Sequence, residues 1–258
     1  MISGSASPAI LPDPGLEGLD PRWSRLVTTP QLDGVGRTWH LLDNHVEDPT
    51  VTLLCVHGNP TWSYLWRDLI AQAPTGVRVI AIDHLDMGFS ERTGTTRRLQ
   101  QRIDDLCALT DELNLTGPVV TVAHDWGGPI SLGWAQRHQD QLGGLVLMNT
   151  AVHQPEESHA PGLIRMVRTP GVLRRVCETT PAFIRGTMAL TRPRVPRAIR
   201  DAYEAPYRSA ERRTAIAEFV EDIPLDDTHP SQHVLDRVAA DLDQLAAVPA
   251  LLLWGPSD

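Results

Sequence analysis

The feature that most constrains the fold is an abrupt change of pattern around Asp125. The apolar, β-branched run at 119–122 is typical of a buried strand, and the apolar positions at 130–135 have the pattern of a helix. The turn between them is therefore a strand-to-helix elbow with Asp125 at its apex. Small residues two positions to either side, Ala123 and Gly127, let strand and helix pass closely. An ordinary buried turn with a helix-capping aspartate is the alternative.

The rest of the chain alternates between strand and helix patterns. Strands are predicted at 37–42, 51–56, 77–82, 119–122, 145–148 and 250–254. Helices are predicted at 62–73, 97–113, 127–138 and 236–247, with Thr95 or Thr96 as the N-cap of the second. This alternation predicts an α/β fold with a doubly wound, mostly parallel sheet.

Residues 155–230 interrupt the alternation, since they contain nine prolines, many arginines and no convincing strand. We predict an inserted helical cap there. The expected organisation is a flexible N-terminal segment at 1–20, a first part of the core at 21–154, the cap at 155–230, and a second part of the core at 231–258.

The charge pattern excludes some partners. The net charge is −9, from 32 acidic and 23 basic residues, and every basic residue is an arginine. No basic stripe stands out, so nucleic acid is not an expected partner. No apolar run approaches the roughly 18 residues of a membrane helix, so no membrane span is expected. The three cysteines are odd in number and far apart, which fits reduced thiols and predicts a cytoplasmic protein.

The Asp125 elbow resembles the nucleophile elbow of α/β-hydrolases, where nucleophile, acid and histidine follow in that chain order at the carboxyl ends of strands. Asp125 takes the nucleophile position. Asp258 follows the last predicted strand and is the candidate acid; a solvated aspartate is the alternative. The earlier acid position holds Asn149 and Thr150, which are not carboxylates.

The expected catalytic histidine has no candidate after Asp258, and none of the ten histidines before it fits the order. We therefore interpret the chain as a fragment that ends before the last strand and helix. The 258-residue chain by itself is expected to be inactive, because it has no catalytic histidine.

The loop His57-Gly58-Asn59-Pro60, after the predicted strand at 51–56, is a candidate for half of an oxyanion hole. The backbone N–H groups of Asn59 and Trp126 are expected to face one another there. The side-chain amide of Asn59 and the indole N–H of Trp126 are donors that can hold a departing anion. Core packing is the alternative for Trp126. No cofactor and no metal are predicted.

Three segments, His57-Gly-Asn-Pro-Thr-Trp-Ser-Tyr-Leu-Trp-Arg67, Asp83-His-Leu-Asp-Met-Gly-Phe-Ser-Glu-Arg92 and His124-Asp-Trp-Gly-Gly128, resemble the haloalkane dehalogenase family of α/β-hydrolases. The resemblance implies Asp125 as nucleophile, Asp258 as acid, and Asn59 with Trp126 as leaving-group ligands. The late acid together with the Asn–Trp pair resembles the branch that includes the β-lactone decarboxylases of olefin synthesis. Asp86 departs from the family, whose members more often have glycine there.

That branch implies a β-lactone decarboxylase acting on a small apolar alkyl substrate, with a fused or partner β-lactone synthetase. A haloalkane dehalogenase is the alternative. An epoxide hydrolase is less favoured. Such an enzyme needs two tyrosines in the cap, where Tyr203 and Tyr207 are the only candidates, and it usually has an aromatic residue in place of Asn59. A non-catalytic fragment that binds an apolar ligand is the alternative of a different class.

Overall fold

The computed structural model describes residues 5–152, 167–169 and 171–255. At its centre is a seven-stranded sheet with the strand order β1-β2-β4-β3-β5-β6-β7. The strands are β1 Ser24–Thr29, β2 Arg37–Asp43, β3 Val51–Val56, β4 Val77–Ile82, β5 Val119–His124, β6 Leu142–Met148 and β7 Ala250–Leu253.

The sheet is mostly parallel, as predicted. Strands β4, β3, β5, β6 and β7 pair in parallel, while β2 pairs antiparallel with both β1 and β4. Strand β1 was not predicted from the sequence. Its segment Ser-Arg-Leu-Val-Thr-Thr is mostly polar and has one buried residue, Thr29, because it pairs along one side only, at the edge of the sheet.

The helices are α1 Arg67–Ala71, α2 Leu99–Leu113, α3 Gly127–Arg137, α4 Ala182–Leu190, α5 Arg197–Glu204, α6 Thr214–Glu221 and α7 Pro230–Ala240. Helix α3 packs against β5 and β3 of the sheet and against α2. A methyl group at Gly133 of α3 would overlap the side chain of Ile103 of α2. This close packing fixes the helix that follows the elbow.

The predicted N-cap of α2 was wrong. The cap position is Arg98, not Thr95 or Thr96. The Leu99 N–H at the start of the helix donates to a carboxylate oxygen of Asp222, 2.8 Å away, and the Arg98 guanidinium donates to the other oxygen at 3.0 Å. An acceptor from a distant part of the chain satisfies the helix end, so no local capping residue is needed.

Between β6 and β7 the described residues form helices. A turn of π-helix at Arg174–Thr179 precedes α4, α5 and α6. The segment after α4 is fastened to the sheet side by hydrogen bonds: Trp62 Nε1 donates to Ala202 O at 3.2 Å, and Tyr207 Oη donates to Thr61 O at 2.8 Å. Residues 153–166 and 170, which include the expected start of the cap at 155, lie outside the described residues.

Strand β7 forms one edge of the sheet, and its apolar side chains are exposed. Leu251, Leu252 and Leu253 are 52%, 61% and 44% exposed. Each carries its side chain to solvent although it pairs in register with β6. In the described part of the chain, no helix is long and apolar enough to cross a membrane.

Candidate active site

The elbow is built as the sequence predicted, with Asp125 between the end of β5 and the start of α3. Its φ is +54°, in the left-handed region that aspartate tolerates better than most residues. A methyl group at Gly127 would overlap the carbonyl of Val56 in β3, and one at Gly128 would overlap the side chain of Thr150. The elbow can form only because both positions lack a side chain.

Hydrogen bonds hold the backbone of Asp125 in this conformation. Its N–H donates to Met148 O at 3.3 Å, and its carbonyl accepts from Gly128 N at 2.9 Å. The hydroxyl of Thr150 donates to the same carbonyl at 2.6 Å. From the sequence, the two residues after β6, Asn149 and Thr150, were considered only as possible positions for the catalytic acid. Instead, Thr150 fastens the elbow to the neighbouring strand end.

The loop after β3 contacts the carboxylate of Asp125 directly. The backbone N–H of Asn59 donates to Asp125 Oδ1 at 2.7 Å. A methyl group at Gly58 would overlap that carboxylate, so glycine is required for the loop to come this close. One carboxylate oxygen thus lies against a backbone donor, the arrangement that stabilises negative charge at such a site.

Hydrogen bonds define the protonation of His57 in this loop. Its Nε2 accepts from the backbone N–H of His84 at 3.2 Å, so the ring proton is on Nδ1, which donates to Gly58 O at 2.8 Å. Burial lowers the pKa of His57 to about 4 and that of His84 well below its usual value. Both rings are neutral at pH 7. Because both ring nitrogens of His57 are engaged in these hydrogen bonds, this histidine positions the loop and does not serve as a catalytic base for Asp125.

The two candidate leaving-group donors lie under helix α6. Asn59 Nδ2 is 3.1 Å from Ile216 O. A carbonyl oxygen only accepts, so the amide nitrogen must face it, and its second N–H remains for a ligand. The ring of Trp126 packs against Phe219 with centroids 5.9 Å apart. Among the described residues no acceptor bonds to Nε1 of Trp126.

The candidate acid Asp258 lies outside the described residues. The chain reaches Gly255 at the carboxyl end of β7, where Gly255 N donates to Asn149 Oδ1 at 3.3 Å. Strand β7 pairs with β6, which pairs with the elbow strand β5. The structure therefore brings together Asp125, Asn59 and Trp126 of the predicted site.

Sequence reasoning missed the α6 side of the site. Ile216 and Phe219 are far along the chain from Asn59 and Trp126, and no motif linked them. Behind Phe219 lies the guanidinium of Arg102, with its carbon 3.6 Å from the ring centroid. One signal was present: Arg102 falls on the apolar stripe of α2 formed by Leu99, Ile103 and Leu106, where a charged residue is out of place.

Asp86, the departure noted in the sequence, has a structural explanation. Its φ is +69°, a backbone conformation that favours glycine but that aspartate also adopts. Its carboxylate accepts from the backbone N–H of Thr93 at 2.5 Å and from the Thr93 hydroxyl at 3.0 Å. The side chain therefore braces its own loop.

A carboxylate on a strand-to-helix elbow, at the carboxyl end of β5 in a mostly parallel sheet, defines the class. The chain belongs to the α/β-hydrolase fold family, whose model matches residues 51–258. Within that family it is an enzyme of the haloalkane dehalogenase-like group.

Three similar proteins place it more closely. A cis-3-alkyl-4-alkyloxetan-2-one decarboxylase of Xanthomonas campestris pv. campestris is 37% identical over 84% of this chain and 75% of that protein. Haloalkane dehalogenase 2 of Mycobacterium bovis is 30% identical over 96% and 81%. The haloalkane dehalogenase DpaA of Paraglaciecola agarilytica shares the fold, with a TM-score of 0.79 at 21% identity over 96% and 81% of the two chains.

The buried carboxyl of Glu218, in α6, predicts that the stability of the protein depends on pH. Burial raises its pKa from 4.5 to about 7, against the attraction of Arg102; Asp86 and Glu221 also face it, and Thr96 bonds to it. The folded protein then binds the proton more tightly than the unfolded chain between pH 4.5 and 7, so this contribution to stability is lost as pH rises. Because glutamine does not titrate, the excess stability of wild type over Glu218→Gln is expected to fall by about 3 kcal/mol across that window.

Urea unfolding of both proteins from pH 4.5 to 8 measures this difference. Asp140→Asn, which removes the charge of an exposed carboxyl, is the control for the loss of one acidic group. A flat difference for Glu218→Gln would contradict the prediction.

Proposed function

We propose that this enzyme is a β-lactone decarboxylase that converts a long-chain disubstituted β-lactone into an alkene and CO2, with Asp125 as the nucleophile. The observation that carries the proposal is the carboxylate at the apex of the elbow, with Oδ1 2.7 Å from the Asn59 N–H. A carboxylate there forms an ester with an alkyl carbon. The relative that is 37% identical is named for decarboxylation of a cis-disubstituted oxetan-2-one.

In the first proposed step, Asp125 Oδ2 attacks the ring carbon that bears the lactone ring oxygen. The bond between that carbon and the ring oxygen breaks, which relieves ring strain and frees the carboxylate of the substrate. The second N–H of Asn59 Nδ2 and the indole N–H of Trp126 hold this departing carboxylate.

In the second step, the bond between the substrate's carboxylate carbon and its neighbouring carbon breaks, and CO2 leaves. The electron pair of that bond forms the carbon–carbon double bond. The ester bond to Asp125 breaks at the same time, and its electron pair returns to the carboxylate. The atoms balance with no water consumed.

Haloalkane hydrolysis is the second candidate, favoured by the 30% identical haloalkane dehalogenase and by the same pair of donors. There the leaving group is a halide, and water must hydrolyse the ester at its carbonyl. In that cycle we propose that Asp258 orients the histidine that activates the water. Epoxide opening is disfavoured, because the Tyr207 hydroxyl already donates to Thr61 O and accepts from Gly88 N at 3.1 Å.

The two candidates differ in whether solvent oxygen enters the enzyme. The full-length protein is incubated in H2¹⁸O with a long-chain cis-β-lactone and, separately, with a 1-bromoalkane of equal chain length. We expect alkene and CO2 from the lactone, little bromide release, and no ¹⁸O in the peptide containing Asp125. Rapid bromide release with ¹⁸O in that peptide would favour the dehalogenase instead.

Three further proposals accompany this function. We propose residues 155–230 as a cap between core parts at 21–154 and 231–258, because the described residues there are helical and cover Asn59. We propose a cytoplasmic location, because the three cysteines are free thiols. Since the substrate is a strained lactone, we propose a fused or partner β-lactone synthetase that supplies it.

A further inference from the structure

Helix α6 contacts both candidate leaving-group donors. Ile216 O, in its first turns, accepts from Asn59 Nδ2, and Phe219 packs against the ring of Trp126. Phe219 is fully buried and also contacts the ring of His84, with centroids 5.8 Å apart. The position of this one phenyl ring therefore bears on where the indole N–H of Trp126 points.

The side chain of Arg102, which belongs to α2, packs on the ring of Phe219. The guanidinium carbon lies 3.6 Å from the ring centroid, within the range of a cation–π contact, and Arg102 is 1% exposed. None of its three side-chain nitrogens has a hydrogen-bond partner in the described part of the chain. The guanidinium therefore contacts the face of an aromatic ring instead of a hydrogen-bond acceptor.

Buried acids surround this arginine without bonding to it. Glu218, Asp222, Asp86 and Asp105 attract it, yet burial outweighs them and lowers the pKa of Arg102. An unpaired buried guanidinium weakens folding, since its donors have lost water and gained no acceptor. A residue present only for stability would not have this environment.

We propose that Arg102 is a positioning residue for the reaction: its guanidinium fixes the ring of Phe219 and, through it, the indole N–H of Trp126 and the α6 carbonyl that orients the amide of Asn59. The role of these donors in holding the departing anion rests on the proposed function. The contact between Arg102 and Phe219 does not.

Arg102→Met separates positioning from stability. Methionine keeps the volume and a favourable sulfur–ring contact but removes the buried charge, a replacement that is often neutral or stabilising. At pH 6, where Glu218, with a pKa of about 7, is largely protonated, we expect an unfolding temperature no lower than wild type. We expect kcat with the β-lactone to fall about tenfold, with KM little changed.

Phe219→Leu removes the ring through which Arg102 acts. It is expected to lower kcat similarly, and Arg102→Met is expected to add nothing in its background. Arg185→Met is the control, because Arg185 is an exposed cap arginine paired with Glu204. A lower unfolding temperature with unchanged kcat, or fully additive effects of the two substitutions, would overturn the proposal.

A readout independent of activity is ¹⁹F NMR of protein labelled with 5-fluorotryptophan, which gives one resonance for each of seven tryptophans. Trp126→Phe assigns the resonance of Trp126. Arg102→Met and Phe219→Leu are expected to move it and to leave that of Trp254, which is 48% exposed, in place, while Arg185→Met moves neither. An unmoved Trp126 resonance would refute the positioning role. A moved resonance in a protein without lactone activity would refute only the proposed function.

Discussion

Asp125→Asn is expected to abolish turnover, with a loss of about four orders of magnitude or more in kcat, because the amide cannot form the ester intermediate. The fold should survive the change. Asparagine adopts the left-handed backbone conformation as readily as aspartate, and its carbonyl oxygen can accept the Asn59 N–H as Oδ1 does now. The unfolding temperature is therefore expected to stay close to that of wild type.

Alkene formation from a cis-β-lactone measures the activity, and the mass of the peptide spanning the elbow shows that residue 125 is still asparagine. Asp140→Asn repeats the chemical change at an exposed site and should keep full activity. Substantial turnover by a verified Asp125→Asn protein would refute the nucleophile assignment.

Gly127→Ala is expected to have the largest effect on stability. The added methyl group would overlap the carbonyl carbon and oxygen of Val56, the last residue of the central strand β3, which pairs with Ala123 of β5. Backbone in that position cannot move aside as a flexible side chain can, so the elbow must open. We expect a loss of about 3 kcal/mol in the free energy of unfolding, or no folded protein.

Gly186→Ala is the matched control for this change. Gly186 lies in helix α4, and a methyl group there would meet no atom within 4 Å. Replacing a helical glycine with alanine is expected to raise stability by up to about 1 kcal/mol. Urea unfolding of both variants gives the comparison, and equal stabilities would mean that the crowding at Gly127 is not limiting.

Most of the sheet and the elbow were predictable because their signals are local. Strands such as Val51–Val56 and Val77–Ile82 are largely apolar runs that match the structure residue for residue. The elbow was predictable because a buried strand pattern changes to a helix pattern within four residues around Asp125. Strand β1 was missed, since an edge strand with a single buried residue has almost no apolar pattern.

The cap of helix α2 shows the opposite case. The sequence offers Thr95 and Thr96, two good capping residues, next to the helix start. The structure instead satisfies the Leu99 N–H with Asp222, from beyond α6. A capping signal in the sequence describes which residues can cap a helix locally, while the acceptor that does so depends on what packs against the helix end.

The sequence by itself determined the fold class, the position of Asp125 on its elbow, and the residue types of Asn59 and Trp126, because these depend on patterns within a few residues. Only the tertiary structure decided how that site is enclosed. Asn59 meets Ile216 and Trp126 meets Phe219 across large separations in the chain, with Arg102 buried behind the phenyl ring. Such contacts arise from how α6 packs on α2 and the sheet, and no local pattern encodes them.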